Sequence, residues 1–482
     1  MKKLFAWIMV LAMMMGCIAA FAEENRAVEF ELTLNIDIDA IPQDSSAYSV
    51  YDEVLGVDGK ALFEAELELG RATAALLNVF SVHGIVEGQA INMSLNVKDK
   101  PIITLNESMD ADGQLLLATN LVPSFVFTMS PENMAQSDEQ DAAVMAALQE
   151  IALPVLQIVM ESSEAMNQYI IAEEEGAFEL DGYTYDRRTA IRMTGEEFWA
   201  ILQHAEQQLI PLVEKLIVAY GMEEDAQAME DAVADVQEQP VPDVLKDAML
   251  TMDVYHCSGE MLMMHEEMHV KNPAHNFYGT ISVREDRVVF GGISGPNAYA
   301  DRAALEQAAA EQAEDVVKLD GILLLDMENE TGSLTAEVIS GEGYERHELL
   351  GGVKDGKVEI AYRLFMDQDG ACVLEVALNA WESDEKAVAV ETEGKKIITY
   401  DQITAASEDP ESEEAEAFYA LAMELMTDVE KASNGMVIQL ILAAPEEIQA
   451  FLDAQAGINN LYLYDIPEQN TPIDLPDEGV SF

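Results

Sequence analysis

Four of the seven histidines fall between residues 256 and 275, and three of them stand in His265-Glu266-Glu267-Met268-His269-Val270-Lys271-Asn272-Pro273-Ala274-His275. On a helix, a spacing of four puts His265 and His269 on one face, close enough to share a metal. His265, His269 and His275 are then candidate metal ligands, and Glu266 is the candidate general base for a metal-bound water. The same residues also alternate. Leu262, Met264, Met268 and Val270 are apolar, His265, Glu267 and His269 are polar, and Ser258-Gly259 supplies a hairpin turn just before them. A period of two predicts a strand. In a strand His265 and His269 stand about 13 Å apart, too far to bind one ion.

The helical alternative resembles a known family. H-E-x-x-H with a third histidine six residues beyond the second is similar to the zinc signature of the metzincin peptidases. That resemblance implies zinc as cofactor, His265, His269 and His275 as its ligands, and Glu266 as the base of a peptidase. It covers eleven residues. Asn272 stands where the family has glycine, Glu267 adds a charge, and no Met-x-Tyr turn follows, the next methionine being Met327.

The elements around the motif follow the two-residue period. In Val28 to Asp39 every second residue is apolar (Val28, Phe30, Leu32, Leu34, Ile36, Ile38), which predicts a long antiparallel strand with one dry face. Further strands are predicted near 61–68, 78–86, 92–97, 102–107, 114–118 and 124–129, around Asp181-Gly182, and through much of 249–403. Val358, Ile360, Tyr362, Leu364 and Met366 alternate into Asp369-Gly370 and are answered by Leu374, Val376, Leu378 and Ala380. Six Asp-Gly pairs, at Asp58, Asp112, Asp181, Asp320, Asp355 and Asp369, are read as hairpin punctuation. Asp110-Ala111-Asp112-Gly113 has the start of a calcium-loop spacing, but Thr119 stands where the bidentate glutamate belongs, so it too is read as a turn.

Helical periodicity governs 138–175, broken at Pro154. It returns after the capping box Thr194-Gly195-Glu196-Glu197, where Phe198, Ile201, Leu202, Ala205, Leu209, Leu212, Leu216 and Tyr220 form one stripe closed by Gly221. Helices are also predicted over 302–317, 417–431 and 446–456. The fold class expected is α+β: large curved antiparallel sheets of long amphipathic strands, covered by amphipathic helices. The expected divisions are a signal peptide at 1–22, an α+β lobe at 23–243 ending in Gln239-Pro-Val-Pro-Asp243, a second at 244–458, and an extended tail at 459–482.

Lys2-Lys3, the apolar run from Leu4 to Ala19 and the Ala20-Phe21-Ala22 end read as a secretory signal, which predicts a secreted or extracytoplasmic chain. Gly16-Cys17 offers the alternative of a lipid anchor through Cys17. No later run is long enough for a transmembrane helix. With 91 acidic against 25 basic residues the formal charge is −66, which excludes nucleic acid as a partner. Cys257 and Cys372, each beside a predicted turn, are candidates for one disulfide.

Long amphipathic strands joined by Asp-Gly turns, with striped helices to cover them, resemble the half-barrel of exported bacterial lipoprotein carriers and related lipid-binding envelope proteins. The resemblance implies a non-enzymatic protein that shelters a lipid or other apolar ligand and holds no cofactor. The zinc peptidase and a structural or adhesive surface protein are the alternatives.

Overall fold

The computed structural model describes residues 27–42, 59–131, 147–219 and 240–257 apart from scattered positions, and 263–464 with the same proviso. The expected signal segment, Cys17, the turn expected at Ser258-Gly259 and the residues beyond 464 lie outside the described residues.

The fold is α+β, built on a curved, open sheet of 18 strands. The strands are β1 (Val28–Ile36), β2 (Phe80–Glu87), β3 (Ala90–Val97), β4 (Lys100–Met109), β5 (Leu115–Thr119), β6 (Phe125–Met129), β7 (Ile170–Leu180), β8 (Tyr183–Thr194), β9 (Met249–His256), β10 (Met264–Lys271), β11 (His275–Val283), β12 (Arg287–Pro296), β13 (Val317–Asp326), β14 (Thr331–Ser340), β15 (Gly343–Lys354), β16 (Lys357–Phe365), β17 (Leu374–Glu382) and β18 (Lys396–Thr399). The helices are α1 (Gly59–Leu77), α2 (Gly195–Ala219), α3 (Arg302–Ala310), α4 (Tyr400–Glu408), α5 (Glu413–Ala443) and α6 (Pro445–Tyr464), with further helical residues between 147 and 167.

Two meanders make the sheet. One runs β2 to β6, the other β7 to β17, each strand antiparallel to the next. β1 joins them by pairing with β17 on one side and β2 on the other. β18 adds to β6 in parallel. β8 and β9 flank the boundary expected at residue 243, and they pair from Thr194↔Met249 to Arg187↔His256, so one sheet crosses it. On the wet face Glu29 fastens the join: its carboxylate accepts from Trp381 Nε1 (3.2 Å) and Ser383 Oγ (2.8 Å) and meets His83 Nε2 at 2.8 Å.

Alternation sets the faces. From β9 to β3 one face is apolar, and its packed centre is Val28, Phe30, Val358, Val376, Leu378 and Ala380. Phe30 lies flat over Gly84 on β2, where a Cβ would collide with the ring. Phe290 covers Gly321 in the same way.

Several sequence expectations are corrected. Residues 61–68 belong to α1, in which Leu62, Ala72 and Ala74 are buried. Asp320-Gly321 is mid-strand in β13, its glycine serving the Phe290 ring instead of a turn. β1 stops at Ile36, since Asp37 accepts from Asp39 N and caps a short 3-10 turn over Ile38–Ala40. The helical stretch predicted to 175 yields to β7 at Ile170. The two predicted C-terminal helices are longer, α6 running into the expected tail. Cys257 and Cys372 are free thiols, separated by the strands β10 to β16. Gly113, Gly182 and Gly356 do take the positive φ of hairpin turns, and Asp110 Oδ1 holds its turn by accepting from Asp112 N and Gln114 N, both at 2.9 Å.

Candidate functional site

The histidine segment is strand. Met264–Lys271 pairs with β9 and β11 along its whole length, so successive side chains go to opposite faces. Met264, Glu266, Met268 and Val270 take the dry face; His265, Glu267, His269 and Lys271 take the wet one. His275, at the start of β11, lies on the dry side with Phe277. The helix required by the zinc signature is therefore replaced by a hairpin that divides the three imidazoles between two faces. They do not fit one zinc ion, and among the described residues no group of three His, Cys, Asp or Glu side chains gathers for a metal. Asn272, at the motif's glycine position, holds the β10–β11 turn: its Oδ1 accepts from Ala274 N (2.8 Å) and His275 N (2.6 Å).

On the wet face the histidines are part of a packed polar and aromatic layer. His265 Nδ1 meets Ser282 Oγ at 2.6 Å, its Nε2 lies 3.5 Å from Glu267 Oε1, and the Tyr185 and Tyr255 rings are 6.1 and 6.0 Å away. The hydrogen bond from His265 holds the Glu267 carboxyl below the ordinary glutamate range. Serine, histidine and glutamate in sequence suggest a nucleophile relay. Ser282 and His265 are only 4% and 5% exposed, however, so a substrate carbonyl cannot reach the hydroxyl. His269 stacks on Tyr278, with centroids 4.1 Å apart and planes 6° apart.

The dry face of the same strands carries a cavity of about 410 Å³ under the start of α2. Its walls are Phe198, Leu245, Met268, Val270 and Phe277; His275 and Ser294 supply polar groups on the same face, and Asn272 and Asn276, whose side-chain oxygens meet the turn amides and His269, complete the lining. Local rules place each part. The capping box starts α2 by reciprocal bonds, Thr194 N to Glu197 Oε2 (2.7 Å) and Glu197 N to Thr194 Oγ1 (3.2 Å), which orients Phe198 toward the sheet. Gly195 lets the Leu245 carbonyl come so close that any Cβ would clash, so Leu245 can close one side. Phe198 and Ile201 then pack with Ile191, Met193, Leu250, Met252, Met268 and Val270. Phe277 spreads over Gly279 and Gly292, which leaves its ring as a flat wall. Glu266 shares this face, between Val254 and Ile281, and burial pushes its carboxyl up.

Beyond the cavity the dry face is less covered. Leu319 on β13 is 40% exposed and Leu334 on β14 36%. On the opposite, wet face a second groove, of about 580 Å³, lies across β13 to β17 with Asp326, Ser333, Glu359, Arg363, Glu375 and Asn379 in its lining, and there Arg363 Nε donates to Glu375 Oε2 at 2.5 Å.

The sequence placed Phe198 on the buried stripe of α2 and Met268 and Val270 on one side of a strand. It did not reveal that these meet, nor that Leu245, Phe277 and Ser294 complete a cavity; the glycines Gly195 and Gly279 were the available signal. Comparison with protein families, curated proteins and solved structures finds no match to this chain.

Proposed function

We propose that this is an exported, non-enzymatic protein of the cell envelope or extracellular space that binds a lipid or another apolar ligand on the dry face of its sheet, beside α2. The observation that carries the reading is the 410 Å³ cavity, in which five apolar walls surround a few polar groups at one edge. Ligand sites have this composition: apolar walls supply affinity and a small number of hydrogen-bonding groups fix orientation. His275 and Ser294 would hold a polar head while Phe277, Met268 and Phe198 contact a chain. The partly exposed leucines of β13 and β14 extend the apolar surface past the cavity. The packed state of the His265–Ser282 pair and the division of the three histidines favour binding over peptidase chemistry.

Mass spectrometry of an organic extract of the natively purified protein tests this, together with titration by a dansyl-labelled fatty acid. Co-purified lipid and saturable binding that Met268→Asp weakens at least about tenfold are expected, since a charge in an apolar pocket is strongly unfavourable. A lipid-free protein that leaves the probe unbound would overturn it.

A further inference from the structure

Helix α5 is apolar on two sides. Phe418, Leu421 and Leu425 pack on Phe125 and Ile398, while Met436, Leu440 and Ala443 pack on Val97 and Ile102, which fixes the side turned to the sheet. On the opposite side Met423, Met426, Val437, Ile438, Ile441 and Leu442 are exposed, from 46% at Ile441 to 74% at Met423. A helix at a water boundary needs one apolar stripe; a second one calls for a second apolar phase. From Ala432 to Pro445 no residue is charged, in a chain that carries 91 acidic residues. The part of this run inside α5 gives about 18 Å of uncharged helix at 1.5 Å per residue. α5 and α6 meet at 99°, so the uncharged run ends at a corner. Leu452, beyond it on α6, is also exposed.

We propose that residues 432–445 dock the protein on an uncharged lipid surface, with Val437, Ile438, Ile441 and Leu442 entering the boundary between headgroups and acyl chains. Charge decides between this occupant and a second copy of the chain. Glu424 and Glu430 precede the patch, Glu446 and Glu447 follow it, and Lys431 is the one basic residue between Glu413 and Glu447. Lys396 pairs with Glu424 and Lys98 with Glu447, which leaves Glu430 and Glu446 as acids at opposite ends. An antiparallel two-fold pairing of copies through this helix would gather Glu430, Lys431 and the other copy's Glu446 at each end, two acids to one base, so charge does not favour it. A zwitterionic bilayer opposes neither acid, and the carboxylates stay in water while the apolar centre enters. Anionic lipid is disfavoured by the formal charge of −66. No single described helix is long and apolar enough to cross a membrane; α5 and α6 reach that length and hydropathy only as a pair bent by 99°, and it is the bend that places the proposed contact at the surface. Docking does not depend on the ligand reading: it stands whether or not the dry face carries a guest.

The test is flotation of the chain from Glu23 onward with phosphatidylcholine vesicles, and with vesicles containing phosphatidylglycerol. The protein should float with the first and less with the second. In the Ile438→Glu, Leu442→Glu double variant the partition coefficient should fall about tenfold or more, because two exposed apolar side chains lose their burial in lipid, with the melting temperature unchanged. A Leu442→Trp variant gives an independent reading: its emission should shift to the blue on phosphatidylcholine vesicles and be quenched by brominated chains. Failure to float, flotation indifferent to the double variant, or an unshifted Trp emission would overturn the proposal. So would a wild-type dimer, in sedimentation, that the double variant dissolves.

Discussion

The dry face reads alike in two stretches of the sheet and is used differently in them. Across β17, β1 and β2, Phe30 and Leu378 are each 2% exposed and pack with Val28, Val376 and Ala380 into a buried cluster. Across β13 and β14, Leu319 and Leu334 repeat the alternation yet remain partly open to solvent. The first stretch holds the two meanders together through β1. The second is free to meet something else. Alternation specifies which way a side chain points; the neighbours that arrive above it decide whether it becomes core or surface.

The largest effect should separate the two stretches directly. Phe30→Ala is expected to cost about 3–5 kcal/mol, the range for a buried aromatic leaving a cavity, and Leu334→Ala under about 1 kcal/mol. Urea midpoints at constant slope measure both, and equal losses would mean that β13 and β14 are sealed as well. Next comes glycine. Gly84→Ala drives a methyl group into the Phe30 ring and should cost about 1–3 kcal/mol, while Gly351→Ala, with open space around its Cβ, should be nearly neutral. Thermal unfolding of the pair reports this.

A smaller change tests the end covered by α2. Thr194→Ala removes half of the capping box and should cost about 1 kcal/mol, and ligand binding should weaken with it if α2 shapes the cavity. The smallest effect contrasts the two faces at adjacent residues. Burial raises the Glu266 pKa in the folded state, so its ionised form disfavours folding above that pKa and has no effect below the unfolded value. Glu266→Gln should therefore raise the melting temperature at pH 7, with the gain vanishing as pH falls below the ordinary glutamate range. Glu267 is depressed by its bond from His265, so it contributes stability above the unfolded pKa that disappears as pH falls through the folded one. Glu267→Gln should lower the melting temperature at pH 7 and lose that effect in acid. Melting curves from pH 7 to 3 check both signs, and a shared sign would contradict the assignment of faces.

What the residues alone determined was local. Two-residue periodicity from Val28 onward specified strands with one dry face, Thr194 and Glu197 specified a helix start, and the alternation through His265 and His269 specified a strand over a metal helix, because side-chain direction and capping depend on near neighbours. Where such signals were weak the reading failed: residues 61–68 carry apolar positions compatible with either period, and only packing made them helix. Asp320-Gly321 has turn chemistry and sits in mid-strand because the Phe290 ring required a glycine opposite it. The tertiary structure alone decided that β1 joins two meanders, that Cys257 and Cys372 stand apart, and that Phe198 and Leu245 meet Phe277 around a cavity. Those are pairings of residues distant in sequence, chosen by shape and burial across the whole sheet, and no local pattern encodes them.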